Sequence, residues 1–224
     1  MPRMRSSEEK RLEEKRSEGK RLAPRNAGAG VDGRSGKPSN KMSATLSASA
    51  AARARKIRVL LMDVDGVLTD GHVYLQSFPD GSVHEAKAFH SQDGAGLKLA
   101  HDAGLRTGVI TGRKSAAVVR RAKEVGMEFV YQGYAEKIPA YEEILRRAGV
   151  PEDEVAYIGD DLPDLPVMQR AGLAIAVANA VMEVRRGAHY VTQRRGGDAG
   201  VREAIEQILK AQGKWAVVWK RARA

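Results

Sequence analysis

A chain of 224 residues can bury one sizeable domain and is short for two. It contains no cysteine, which excludes disulfides and thiol chemistry, and no apolar run approaches the ~18 residues of a membrane span, so no membrane partner is expected. The net charge of +10 belongs to one end: residues 1–58 hold 16 Lys and Arg against 6 Asp and Glu, residues 59–224 hold 22 of each, and the high pI therefore says nothing about the larger part.

Residues 1–55 read as a disordered basic extension. SSEEKRLEEKRSEGKRL (6–22) is charged all round with no apolar stripe, NAGAGVDGRSGKPSNK (26–41) has linker composition, and SATLSASAAARAR (43–55) is small and polar. An arm of this kind can contact nucleic acid, but no aromatic interleaves its basic residues. A solvated extension, or a true start at Met42, is the reading adopted, and nucleic acid is not expected as a partner. The first twenty residues lack the apolar core of a signal peptide, so a cytoplasmic protein is the expectation.

From Ile57 short β-prone runs recur: IRVLLMD, LRTGVIT, EFVYQ, VAYIGD, LAIAV and HYVT. Between most of them lie helical stretches, KSAAVVRRAKEVG, IPAYEEILRRAG and DLPVMQRAG, each closing on a glycine suited to a helix C-terminus. This alternation predicts an α/β fold, a parallel sheet covered on both faces, over residues 56–214. HVYLQSFPDGSVHEAKAFH (72–90) breaks the rhythm: two β-prone runs around Pro-Asp-Gly-Ser predict a hairpin projecting as a flap. Residues 215–224, WAVVWKRARA, form a C-terminal tail whose Trp215, Val217, Val218 and Trp219 are awkward in water.

In an open parallel sheet the ligand site lies beyond the carboxyl ends of the strands. The first strand ends there in Asp63 and Asp65. Two carboxylates that close repel each other unless a cation neutralises them or one takes a proton, and a hard cation such as Mg²⁺ resolves the conflict. An Asp-Gly turn alone would have no such meaning. The same polarity recurs, however, at other strand ends. Thr111-Gly112-Arg113 offers a hydroxyl and backbone N–H groups for phosphate oxygens, Lys137 stands just ahead of a helix, and Asp160, Asp161 and Asp164 follow another strand.

This ordered set, DVDGVLTDG, ITGR, Lys137 and GDDLPD, resembles the haloacid dehalogenase superfamily of phosphotransferases. The flap, FHSQDGAGLKLA, YQGYAEK, GLAIAVANA and the segment 190–215 resemble its capless branch, which acts on acidic sugar phosphates. The resemblance implies a three-layer Rossmann-like sandwich and a Mg²⁺-dependent phosphatase. Its implied substrate is 3-deoxy-D-manno-octulosonate 8-phosphate, with a sialic-acid-type 9-phosphate as the alternative. It further implies that Asp63 is the nucleophile forming an aspartyl-phosphate. Asp65 becomes the acid and base, and the metal sits on the Asp63 carboxylate, the Asp65 main-chain carbonyl and Asp160. Thr111, Gly112 and Lys137 hold the phosphoryl group, Asp161 and Asp164 orient metal waters and Lys137, and Arg113 and Arg202 bind the acidic sugar. Flap hairpins assemble a homotetramer in this branch, neighbouring subunits completing each site. One departure is Ala199-Gly200, which stands where the branch reads Gly-Ala.

Overall fold

The computed structural model describes residues 45–221; residues 1–44, with Met42, and residues 222–224 lie outside the described residues, and so does most of the expected basic extension. Six strands form one parallel sheet: β1 (Val59–Met62), β4 (Arg106–Thr111), β5 (Phe129–Gln132), β6 (Val155–Gly159), β7 (Leu173–Ala176) and β8 (Tyr190–Val191), in the order β5-β4-β1-β6-β7-β8. All four residues of β1 and of β7 are buried, because helices cover both faces of the sheet and continuous apolar runs replace alternation. The α/β sandwich expected from the alternation is the fold observed.

The helices pack in two groups. In the first, α2 (Ser91–Asp102) lies on α7 (Gly200–Ala211), joined by α1 (Ala48–Ala54), α3 (Ala116–Val125) and α8 (Trp215–Arg221); in the second, α4 (Ile138–Ala148), α5 (Leu165–Arg170) and α6 (Met182–Gly187) pack in sequence. Two of the three expected glycine stops are left-handed caps, Gly126 with φ 75° and Gly149 with φ 64°. The third differs. After α5 the cap is Ala171 in an extended conformation, and Gly172 is a glycine because a Cβ there would collide with the Asp153 backbone.

The hairpin comprises β2 (Tyr74–Ser77) and β3 (Val83–Ala86), antiparallel with Tyr74 opposite Ala86 and Ser77 opposite Val83. Its turn is closed by Phe78 N–H donating to Ser82 O at 2.9 Å and Gly81 N–H to Phe78 O at 3.0 Å, with Gly81 at φ 81°. It forms a sheet of its own, and β2 is exposed along its whole length.

Regular structure begins ahead of the expected boundary at residue 55, with α1. Ser47 caps α1 by accepting from Ala50 N–H at 3.2 Å, and Ala50 and Ala54 are buried in the core. Small residues that look featureless in sequence suit a helix lying close against another, here α7. Arg53 Nη1 donates to Gly172 O at 2.9 Å, and Gln212 Nε2 donates to Ile57 O at 2.7 Å and Ala54 O at 3.2 Å. The tail after residue 214 is likewise partly docked, as α8 buries Val218 and leaves Val217 and Trp219 exposed. A chain beginning at Ile57 is expected to melt several degrees below one beginning at Met42, since each kcal/mol lost shifts Tm by about 2–4 °C in a domain of this size. Thermal melts of the two truncations check this; equal Tm values would show that α1 adds nothing to the core.

Candidate active site

The register of the sheet sets the site. Met62 is paired with Val109 of β4 and Ile158 of β6, so the three central strands end together and bring Asp63, Thr111 and Asp160 to one rim. Asp63 N–H donates to Ile158 O at 3.0 Å, holding the start of the loop 63–71 to the sheet. Inside that loop Thr69 Oγ1 accepts from Gly66 N–H at 3.4 Å and Gly71 N–H at 3.3 Å and donates to Val64 O at 3.3 Å. Gly66 has φ 98°, and a Cβ on it would run into the Asp160 carboxylate, so two requirements at once select glycine.

Asp63, Asp65, Thr111, Gly112, Arg113, Lys137, Asp160, Asp161 and Asp164 line one cavity of about 300 Å³. At its floor Lys137 Nζ, with a side chain 4% exposed, donates to Asp63 Oδ1 at 2.6 Å, Asp164 Oδ1 at 2.7 Å and Tyr157 OH at 3.2 Å. Burial alone would lower the pKa of this lysine, but the Asp63 and Asp164 carboxylates outweigh it and raise the pKa above the ordinary value. Asp63 is pushed up to about 6 by burial, with Lys137 pulling the other way. The Asp164 carboxylate is fully engaged: Oδ1 by Lys137 and by Tyr157 OH at 2.8 Å, Oδ2 by the N–H groups of Asp160 at 2.9 Å and Asp161 at 3.2 Å. It braces the site. Asp161 turns back to cap the short turn of helix at Leu162–Asp164.

Asp160 has no such support. Its Oδ1 is buried without a hydrogen-bond partner, and burial followed by the negative charge of Asp63 and Asp164 pushes its pKa up to about 8. Oxygens of Asp63, Asp160 and Asp164 lie within 4.8 Å of one another. Hard oxygen donors, an orphaned buried carboxylate oxygen and mutual repulsion are the conditions that a Mg²⁺ ion relieves, and the residues present fit one.

Two sequence-based assignments divide. Arg113 reaches the mouth of the cavity, where Nη2 donates to Glu85 Oε2 of the flap and Nε stands 3.7 Å from Asp65 Oδ2. Arg202 does not reach it. Its Nε donates to Glu206 Oε1 at 2.8 Å, its guanidinium lies 5.5 Å from the centre of the Trp215 ring, and it lines a separate cavity with Gln193, Arg194 and Lys210. Within one chain Arg202 forms a helix-surface ion pair outside this cavity. On the flap His84 packs edge-on against Phe78, and His90 occupies the N-cap position of α2 without a side-chain capping bond.

Four contributors escape sequence reasoning. Tyr157, wholly buried in β6, looks in sequence like one more apolar position of a strand. Lys87 and Glu85 look like part of an exposed hairpin. Asn179 was missed as a latch: Nδ2 donates to Gly66 O at 2.9 Å while Oδ1 accepts from Gly196 N–H at 2.6 Å, tying the loop 194–199 to the Asp63 loop.

The raised Asp160 carboxyl sets a pH dependence. A carboxyl whose pKa rises on folding binds more protons in the folded than in the unfolded chain, so its contribution falls as pH rises from about 4 to about 8. Without metal, Tm is expected to decline between about pH 5 and pH 8, and the gain in Tm from Mg²⁺ is expected to grow over the same interval. Melts in chelator and in Mg²⁺ test both trends, and Asp160→Asn is expected to flatten them; a Mg²⁺ gain independent of pH would contradict the assignment.

The haloacid dehalogenase-like hydrolase family matches residues 126–205. The 3-deoxy-D-manno-octulosonate 8-phosphate phosphatase of Escherichia coli K12 is 41% identical over 169 residues, covering 75% of this chain and 88% of its own. The Yersinia pestis enzyme of the same name superposes with a TM-score of 0.71 at 41% identity, over 75% of this chain and 89% of that one. The Moraxella catarrhalis enzyme, solved with magnesium, phosphate and 3-deoxy-D-manno-octulosonate, gives a TM-score of 0.73 at 39% identity, over 77% of this chain and 97% of that one. With the fold, the strand-end residues and these likenesses in agreement, the chain belongs to the haloacid dehalogenase-like hydrolases, in the family of the 3-deoxy-D-manno-octulosonate 8-phosphate phosphatases.

Proposed function

We propose that this protein is a cytoplasmic Mg²⁺-dependent phosphatase that hydrolyses 3-deoxy-D-manno-octulosonate 8-phosphate to the free sugar acid and phosphate. The observation that carries it is the cavity in which Asp63, Asp65, Thr111, Lys137 and Asp160 converge. A non-catalytic module would have no reason to keep a buried ammonium between carboxylates at a strand end.

Asp63 attacks phosphorus in line with the leaving sugar oxygen and becomes an aspartyl-phosphate. Asp65 gives its proton to that oxygen as the phosphorus–oxygen bond breaks, then takes one from the water that hydrolyses the intermediate. Lys137 Nζ, the Thr111 hydroxyl and the N–H groups following Thr111 hold the phosphoryl oxygens. The Asp63 and Asp160 carboxylates and the Asp65 main-chain carbonyl would hold Mg²⁺, which would supply neutralising charge for the phosphate. Arg113, which lines the cavity mouth, takes the sugar's carboxylate in this reading.

A panel of phosphorylated sugars and ulosonic acids tests the substrate. Phosphate release is expected to be fastest from the 8-phosphate of 3-deoxy-D-manno-octulosonate, to vanish in chelator, and to fall to background in Asp63→Asn, whose amide cannot attack. Preference for a sialic-acid-type 9-phosphate would replace the substrate while keeping the mechanism. Near-normal turnover by Asp63→Asn would end it.

The same reading includes a homotetramer assembled through the flap. Leu75 and Val83 are 64% and 58% exposed, and Val73, Tyr74 and Phe78 add apolar surface on the same two-stranded sheet, a pattern that favours burial against another copy. Arg202 is then left to act only across a subunit boundary. Sedimentation of the wild type is expected to give a tetramer and that of a Leu75→Glu, Val83→Glu variant a monomer. A monomeric wild type with full sugar-phosphate activity would defeat this assembly.

A further inference from the structure

Asp65 is gripped from the flap. Lys87, one residue past β3, ion-pairs through Nζ with Asp65 Oδ1, and its side chain is only 1% exposed although it leaves a hairpin whose first strand lies wholly in solvent. Lys87 Nζ also stands 3.5 Å from Glu85 Oε1. Glu85 accepts from Arg113, and Arg113 Nε closes the circuit 3.7 Å from Asp65 Oδ2. Four charges thus alternate in sign around a ring, two supplied by the flap, one by the loop after β1 and one by the loop after β4. Within the ring the two oxygens of Asp65 are unlike: Oδ1 is bound to Lys87, whereas Oδ2 is buried and has no hydrogen bond.

We infer that Lys87 is the positioning residue for proton delivery by Asp65, fixing the carboxyl through Oδ1 so that Oδ2 is the oxygen that carries the proton. The inference rests on the reading of Asp65 as the acid. An aspartate side chain left to itself rotates freely about two bonds, and a proton donor must lie within hydrogen-bond reach of the atom it protonates. A surface ion pair would need no burial; this ammonium is taken out of water, and its closest partner is the one carboxyl whose orientation the reaction depends on. In the step itself the proton moves from Asp65 Oδ2 to the leaving oxygen as that oxygen's bond to phosphorus breaks and the Asp63–phosphorus bond forms. Asp65 is left as the carboxylate that later accepts a proton from water. Because Lys87 arrives on the hairpin, the acid is in place only when the flap lies over the cavity.

The dependence of kcat/KM on the leaving group tests this without the sugar. For aryl monophosphates running from 4-nitrophenyl through phenyl to 4-methoxyphenyl phosphate, kcat/KM reports events up to phosphorus–oxygen cleavage and omits the later hydrolysis of the aspartyl-phosphate. A nitrophenolate leaves with little help, whereas a methoxyphenolate needs the proton. Lys87→Met keeps the length of the side chain and removes the charge. Its loss is expected to grow along the series, from a few-fold with the nitrophenyl ester to about a hundredfold with the methoxyphenyl ester. Lys87→Arg is expected to recover part of the slope. The slope does not depend on the fraction of folded enzyme, so a poorly folding variant still gives an answer. Parallel loss across the series in Lys87→Met would overturn the inference while leaving the phosphatase reading intact; a wild type inactive on every phosphate would bring down both.

Discussion

The site depends on one buried ammonium. Lys137 stands between the Asp63 and Asp164 carboxylates, with Asp160 close by, and without it these acids could not share a low-dielectric floor. Removing one partner from such a buried pair costs about 3–5 kcal/mol, far more than a surface ion pair is worth, because the charges left behind lose their solvation without compensation. The rest of the rim follows from this. Lys137 neutralises part of the negative charge, Tyr157 and two backbone N–H groups engage Asp164, and Asp160 is left as the acid with unmet demand. That residual demand is what makes the cavity a metal site.

A second constraint is close backbone packing around the Asp63 loop. Gly196 and Gly197 come so near residues 66–70 that a Cβ on either would overlap main-chain atoms, and Gly197 N–H donates to Val67 O at 3.0 Å. Asn179 latches the same two loops. Just beyond, Ala199 occupies the left-handed region at φ 64°, a conformation costing a non-glycine residue roughly 1–2 kcal/mol. It starts α7, and the Asp93 side chain from α2 caps that helix by accepting from Arg202 N–H at 2.7 Å. The reversed Ala199-Gly200 pair is explained by the neighbour: a Cβ at position 200 would press on the Arg195 carbonyl, so glycine is needed there and alanine takes the strained position.

The flap joins these two levels of organisation. The face of the hairpin that carries Glu85 also carries Leu75 and Val83, since residues two apart on a strand and those directly opposite share a face. The exposed apolar face of the hairpin is therefore continuous with the side chains that hold Asp65 and Arg113.

What could be read from the chain alone was whatever is local or repeats along it. Strand–helix alternation, the hairpin turn at Pro79–Ser82, two left-handed glycine caps and the acids, hydroxyl and lysine at successive strand ends all rest on period, turn chemistry or spacing. Those properties survive in a linear string. What required the tertiary structure was every contact between distant segments whose residues look ordinary in place. The buried tyrosine beneath Lys137 was indistinguishable from any strand residue, and Lys87 from any exposed hairpin lysine. The alanines of α1 resembled linker, because a small side chain shows its worth only against the helix it touches. Arg202 had the right chemistry for an acidic sugar, yet the start of α7 turns it toward Glu206 and Trp215, away from the cavity. Charge and periodicity determine which groups a chain has to offer; the crossing of its segments decides which of them meet, because ion pairing, burial and steric exclusion act through distance in space.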